Sequence, residues 1–268
     1  MNESLVLSEI NVYPVKSLGG ISLSRSLVEE KGLQYDRRWM LVDNLGSFLT
    51  QRTNPEMALF KLSFAENCLI VLHTKSHQQK IIPLRPQTKD KIKVTIWNDS
   101  CSAVRVDNLL DEWFSDLLSI KCSLVYMQEE EKRFVEKKYY QADHLVGFAD
   151  AYPYLIIGQA SLDDLNSRLI ESLPMNRFRP NFVFAGGKPF EEDGWSDFSI
   201  GEVKFKAVKP CDRCVITTTN QDTAERQDEP LRTLSIYRKF GNKVLFGMNL
   251  ISMSFGTVSV GDRIKLID

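Results

Sequence analysis

Leu59 to Asp107 reads LFKLSFAENCLIVLHTKSHQQKIIPLRPQTKDKIKVTIWNDSCSAVRVD. Short apolar runs follow one another through it: LFKLSF (59–64), CLIVLHT (68–74), KIIPL (80–84), IKVTIW (92–97) and CSAVRVD (101–107). β-Branched and aromatic residues fill the runs, and Asn, Asp and Pro turn signals separate them. Strands this short and this closely spaced predict a compact β barrel or sandwich.

The pattern extends upstream. LVLSEINVYPV (5–15), ISLSRSLVEE (21–30), RRWMLVD (37–43) and GSFLTQ (46–51) read as further strands, and Asp43-Asn44-Leu45-Gly46 predicts a hairpin turn between the last two. Downstream the period changes. Leu109, Leu110, Trp113, Phe114, Leu117 and Leu118 recur at helical spacing, so 108–118 predicts an amphipathic helix over the barrel mouth, capped by Asp107 or Asn108. The charged run Glu129–Lys138 predicts solvated surface at a boundary between two lobes. Ser161 and Asp164 resemble a capping box ahead of Leu162, Leu165 and Leu169, in a helix that ends before Pro174. Strands return in NFVFA (181–185), EVKFKAV (202–208), RCVITTT (213–219), KVLFGMNLISM (243–253) and DRIKLID (262–268). EPLRTLSIYRKF (229–240) predicts a helix ending at Gly241, and TVSVGDRIKLID (257–268) a terminal hairpin turning at Gly261-Asp262.

Bulk numbers narrow the function classes. The 268 residues are 43% hydrophobic and 26% charged, an ordinary globular composition. A net charge of -1 gives no global argument for nucleic acid or an anionic membrane. No basic region precedes the first apolar stretch, and no run reaches bilayer length, so neither a signal peptide nor a membrane span is expected. The expected setting is cytoplasmic, in a bacterium. Five cysteines without an export signal read as reduced thiols.

Cys211-Asp212-Arg213-Cys214 is the only paired-cysteine motif. A zinc site would need a second ligand pair, and His73 and His77 lie in a strand-like run. A thioredoxin-like motif would open a helix, yet this one runs into Val215-Ile216-Thr217-Thr218-Thr219, a strand pattern. A soft thiolate presented to a soft metal and a plain pair of buried cysteines both stay open. The company is suggestive. Lys16, Arg37 and Arg179 stand at separate strand ends, where a Lys and the forks of two Arg can converge on an anion.

These residues sit in a definite series: YPVKS (13–17), YDRRWMLVD (35–43), ASLDDLNSRL (160–169), RFRPNFVFAGG (177–187), PCDRCVITTTNQDT (210–223), EPLRTLSIYR (229–238), LFGMN (245–249) and VSVGDRI (258–264). The series resembles a MOSC-domain protein with the MOSC N-terminal β-barrel domain in front, in the group around the mitochondrial amidoxime-reducing component. The resemblance implies a mainly β fold with a few helices (β/α+β), in two interlocked β-barrel-like lobes. Residues 1–125 would form the N-terminal barrel-like domain and 126–268 the MOSC domain. It further implies a molybdenum cofactor (a pterin dithiolene with phosphate), with Cys214 as metal ligand and catalytic residue. Lys16, Ser17, Arg37, Asp150, Ala151, Tyr152, Arg179, Asp212, Arg213 and Asn249 would contact the cofactor. Asn249 stands where eukaryotic members often have an aromatic residue. Lys16 and Arg37 would then have to meet Arg179 and Cys214. The first strands should therefore pack into the C-terminal core, with the compact insertion between about Trp39 and Leu124.

Two functions follow from the resemblance. One is an oxidoreductase reducing N-hydroxylated small molecules: amidoximes, hydroxylamines or N-hydroxylated bases. Its electrons would come from a separate flavoprotein, ferredoxin-like or haem protein, since no iron-sulfur domain follows Asp268. The other is a carrier of cofactor or sulfur, with Cys214 as a persulfide. Pyridoxal phosphate binding belongs to the resemblance only at superfamily level, because no aminotransferase-like domain is present.

Overall fold

The computed structural model describes residues 4–267, and what the sequence predicts of Met1, Asn2, Glu3 and Asp268 lies outside them. The chain is mainly β, with three α-helices and several 3-10 turns among the described residues, and it forms two interlocked lobes. The sheets are open ones rather than closed barrels.

The larger sheet has nine strands. Across it run Ile264–Ile267, Asp197–Ile200, Val203–Asp212, Lys243–Ser252, Tyr154–Gly158, Phe182–Ala185, Val6–Val12 and Ile21–Leu23, with Lys239–Phe240 beside Lys243–Ser252. Tyr154–Gly158 and Phe182–Ala185 are parallel, and a parallel pair needs a crossover. The Gln159–Asn166 helix lies on that crossover. The first strand crosses the chain to join this sheet, with Ile10 opposite Phe182. Its Leu7, Ile10 and Val12 are fully buried against Tyr154, Phe182 and Phe205. Burial of such side chains is worth roughly 1.5–3 kcal/mol each.

The smaller lobe is built on Trp39–Asp43, Cys122–Tyr126, Asp99–Arg105 and Lys91–Ile96, with the meander Phe60–Ala65, Cys68–His73 and Gln78–Pro83 beside it. Trp39 and Leu41 face one core with Phe60, Leu69 and Phe114, while Met40 and Val42 face a second with Val94, Ile96 and Phe148. A strand buried on both faces needs this unbroken apolar run. The Asn108–Leu118 helix covers the first core with Leu110, Trp113 and Phe114. Asp107 caps it, its carboxylate accepting from the Leu109 and Leu110 amides. A third small sheet, Gly256–Ser259 with Arg25–Glu29 and Gly32–Leu33, ties late chain to early chain.

Several local expectations give way to tertiary demands. GSFLTQ forms only single bridges, Phe48 to Val42 and Ser47 to Thr95, although Asp43–Gly46 does turn. ISLSRSLVEE splits between two sheets, because Ile21–Leu23 pairs with the first strand and Arg25–Glu29 with Gly256–Ser259. No capping box forms. The helix begins at Gln159, and the Ser161 hydroxyl inside it donates to the fully buried Glu192 carboxylate. The Leu231–Tyr237 helix stops early because Lys239 and Phe240 pair with Val244 and Lys243, which puts Gly241 in a strand turn at φ 59°. Gly261-Asp262 also turns, but its flanks diverge. Gly256–Ser259 joins Arg25–Glu29, and Ile264–Ile267 joins Asp197–Ile200, so no terminal hairpin exists.

Candidate functional site

Four loops meet where the two lobes touch. The Lys16 amide donates to the Trp39 carbonyl, the Arg37 amide to Tyr13 and the Phe148 amide to Arg37. Gly147 must be small, because a Cβ there would come within 2.8 Å of the Arg37 carbonyl oxygen. Ser17, Arg37 and Arg179 all adopt left-handed backbone, with φ of 66°, 49° and 55°. Residues of this kind cost of order 1–3 kcal/mol each and persist where the surroundings over-determine them. Here the loops converge on a cleft of about 560 Å³.

Seven cations and four carboxylates line the cleft, so it is locally basic in a nearly neutral chain. Lys16, 5% exposed, donates to the Phe148 carbonyl (2.7 Å) and pairs with Asp150. Burial pushes its amine down to about 8, against the opposing pull of Asp150. Burial would raise the Asp150 carboxyl, but Lys16 and Arg52 outweigh it and hold it well below the usual range. Arg37 pairs with buried Asp36 and donates to Asn181 Oδ1 (3.1 Å). Arg37 and Arg179 both lie over the Tyr13 ring, at 4.3 and 4.2 Å. The Arg179 guanidinium makes no hydrogen bond or ion pair among the described residues. Burial lowers its pKa to about 10, so it stays charged at neutral pH.

Cys211 ends a strand and Cys214 opens a turn. Val203–Asp212 shifts register against Lys243–Ser252 twice, between Ala207 and Lys209 and between Pro210 and Asp212. Such bulges re-aim side chains beside functional sites. Val215–Thr218 is then a 3-10 turn with Cys214 at its head, against the strand expected from its β-branched residues. The Thr217 and Thr218 hydroxyls donate back to the Cys214 and Val215 carbonyls. Buried Arg177 donates to the Thr217 and Thr218 carbonyls, at 2.9 Å each. These bonds satisfy the backbone locally and leave it no ladder to join. The strand argument against a thioredoxin-like motif therefore falls. A zinc site gains nothing either, since no group of three or more His, Cys, Asp or Glu gathers among the described residues.

Every residue singled out from the sequence lines this one cleft. Lys16, Ser17 and Arg37 enter from the first strands, Asp150, Ala151 and Tyr152 from the loop ahead of Tyr154–Gly158. Arg179 comes from the turn before Phe182–Ala185, and Asp212, Arg213, Cys214 and Asn249 from the paired strands beyond. They differ in what is left free. Arg213 is already engaged, donating to Cys211 Sγ (3.1 Å) and the Phe178 carbonyl (2.7 Å). Asn249 donates to the Lys209 carbonyl (3.2 Å). The Tyr152 hydroxyl is buried without a partner.

Two arginines escaped the sequence reading. Arg52 donates to Asp150 (2.9 Å) and lies beside the Cys214 sulfur. Its burial would lower its pKa, but Asp150 and Cys214 raise it above the ordinary value. Arg133 sits inside the charged run read as solvated, yet it is 5% exposed. It donates to the Gly147 and Ala149 carbonyls (2.8 and 2.6 Å) and pairs with Asp99. It thereby shapes the loop that carries Asp150. Neither has a local signal, since each partner lies far along the chain or on a backbone carbonyl.

Residues 4–121 match the family described as the MOSC N-terminal beta barrel domain, and residues 143–265 match the MOSC domain. The chain is 31% identical to mitochondrial amidoxime-reducing component 1 of Mus musculus, over 97% of this chain and 82% of that protein. Mitochondrial amidoxime reducing component 2 of Rattus norvegicus is likewise 31% identical, over 98% and 83%. Molybdenum cofactor sulfurase of Solanum lycopersicum is 30% identical over 91% of this chain, which spans 33% of that longer protein. These relatives are animal and plant proteins and lend no support to a bacterial source. No helix among the described residues is long and apolar enough to cross a membrane.

Proposed function

Since the chain belongs to the MOSC family, with an N-terminal MOSC β-barrel domain ahead of a MOSC domain, we propose that it is a molybdenum-cofactor oxidoreductase that reduces N-hydroxylated compounds. In this reading the domains divide at 125/126, the substrates are amidoximes, hydroxylamines or N-hydroxylated bases, and a separate protein donates the electrons. The amidoxime-reducing relatives support the reaction class. The observation that carries it is the donor set: one cysteine facing a basic cleft that holds an unpaired guanidinium.

That set fits the cofactor. A lone Cys214 cannot hold a metal by itself, and a dithiolene brings its own sulfurs. Lys16, Arg37 and Arg179 would receive the phosphate, and the orphaned Tyr152 hydroxyl would face the pterin side of the cleft. When bound, the group supplies a two-electron centre that can accept an oxygen atom. Reduction of an N-hydroxyl group takes two electrons and two protons and releases water. Cys214 is held for its part by the Arg177 clamp, and Arg52, anchored on Asp150, keeps a positive charge beside its sulfur.

The anion pocket has a pH signature. Lys16 binds an anion in its charged form, and in the free protein it loses its proton near pH 8. Sulfate affinity of the apoprotein should be flat below about pH 7. It should fall by up to about tenfold per pH unit above about 8, since binding then requires uptake of a proton. Calorimetric titration at several pH values reads this directly. A flat profile from pH 6 to 9.5 would remove Lys16 from the pocket.

The deciding experiment is metal and pterin analysis of protein purified from a molybdenum-replete host, followed by benzamidoxime reduction with a chemical electron donor. Stoichiometric molybdenum with turnover is expected. A persulfide on Cys214 without molybdenum would replace this reading with the sulfur carrier.

A further inference from the structure

Trp97 is exposed where tryptophan seldom is. It lies in the turn between Lys91–Ile96 and Asp99–Arg105, 48% exposed and at φ 55°. A bulky residue in the left-handed region is an outlier worth explaining. The indole is nevertheless fixed. The Arg52 guanidinium stacks over it at 4.6 Å, and the Phe48 ring meets it edge-on at 5.0 Å. Arg52 is the residue beside the Cys214 sulfur, so Trp97 stands one side chain away from the proposed metal ligand. Phe134, 45% exposed, lines the same cleft from another part of the chain.

We infer that Trp97, held by Arg52 and Phe48 and aided by Phe134, is the specificity wall of the cleft and selects planar aromatic N-hydroxylated substrates over aliphatic ones. The inference rests on the function proposed above and names the substrate class of that site. Arg52 covers one face of the indole, and the rest of the exposed ring is free for a guest. A flat ring laid there removes both apolar surfaces from water and gains the offset stacking that aromatic pairs favour. Phe134 borders the same opening, so an aromatic guest meets rings on more than one side while its N-hydroxyl end extends toward Cys214. An aliphatic amidoxime has the same reacting group and nothing to stack.

The test compares benzamidoxime with acetamidoxime on the molybdenum-loaded protein. In Trp97→Ala the ratio of KM for benzamidoxime to KM for acetamidoxime should rise about tenfold, and Trp97→Phe should restore most of the preference. Molybdenum content of each variant, measured alongside, separates loss of the wall from disturbance of Arg52. A second readout needs no turnover. Trp39, Trp113 and Trp195 are 0%, 7% and 7% exposed, so the solvent-exposed tryptophan emission belongs to Trp97. Benzamidoxime should quench it in a saturable way, and acetamidoxime should not. An unchanged KM ratio in Trp97→Ala, or equal quenching by the two compounds, overturns the inference. If a fully loaded protein reduces neither amidoxime, the function reading fails, while the quenching comparison still decides the role of Trp97.

Discussion

Cys214→Ser abolishes N-hydroxyl reduction and strips most of the molybdenum, while Cys211→Ser keeps the larger part of both: this is the expected outcome of the sharpest substitution in the cleft. Serine replaces a soft sulfur donor by a hard oxygen that stays protonated at neutral pH, so a molybdenum centre loses the ligand that suits it. Cys211 has a different task. Its sulfur receives the Arg213 guanidinium at 3.1 Å and packs beside the cluster that holds Phe178 and Phe246. A serine there keeps a hydrogen-bond acceptor and changes volume little. Metal analysis and benzamidoxime turnover on both folded variants read the difference. Equal loss in the two would point to a dithiol or zinc pair and end the single-thiolate reading.

Arg179→Ala should lower cofactor occupancy by about one to two decades in affinity, and Arg179→Lys by less. A charge-assisted hydrogen bond to a phosphate is worth roughly 1.5–3 kcal/mol net. Lysine keeps the charge and loses the bidentate fork. The comparison is clean for a structural reason. Arg179 sits at φ 55°, where alanine and lysine meet the same backbone penalty as arginine, so the variants differ mainly in the side chain. Its guanidinium has no protein partner to be orphaned by the change, so fold stability should move little. Molybdenum and pterin content of the purified variants are the measurement. Wild-type occupancy in Arg179→Ala would take Arg179 out of the pocket.

Fold class was legible because it rests on periodicity, which survives in any context. Trp39–Asp43 and Asn108–Leu118 keep their type whatever packs on them. The misread segments share a cause: tertiary partners outbid local preference. Val215–Thr218 has strand residues, but Arg177 and two threonine hydroxyls occupy its carbonyls. Arg133 lies in a run of charges, and only the fold reveals that its targets are the carbonyls of a loop 14 and 16 residues on. The convergence of the candidate residues on one cleft was legible only through their combination. Lys16 and Arg179 carry no signal alone. Arg52 carried none at all, because its partners Asp150 and Cys214 are far along the chain.

The crossing of the first strand into the nine-stranded sheet has a consequence for how the protein is made. Val6–Val12 leaves the ribosome early, but its partner Phe182–Ala185 follows some 170 residues later. At synthesis rates of roughly 5–20 residues per second, the first strand waits many seconds with Leu7, Ile10 and Val12 unsheltered. Contacts this distant in sequence also form slowly once both partners exist. The cleft inherits the delay, since Lys16 and Arg37 cannot meet Cys214 until the turn that carries it has been translated. Whatever occupies the cleft must therefore be delivered to a nearly finished polypeptide. The early chain needs shelter, from a chaperone or from its own smaller lobe, until then.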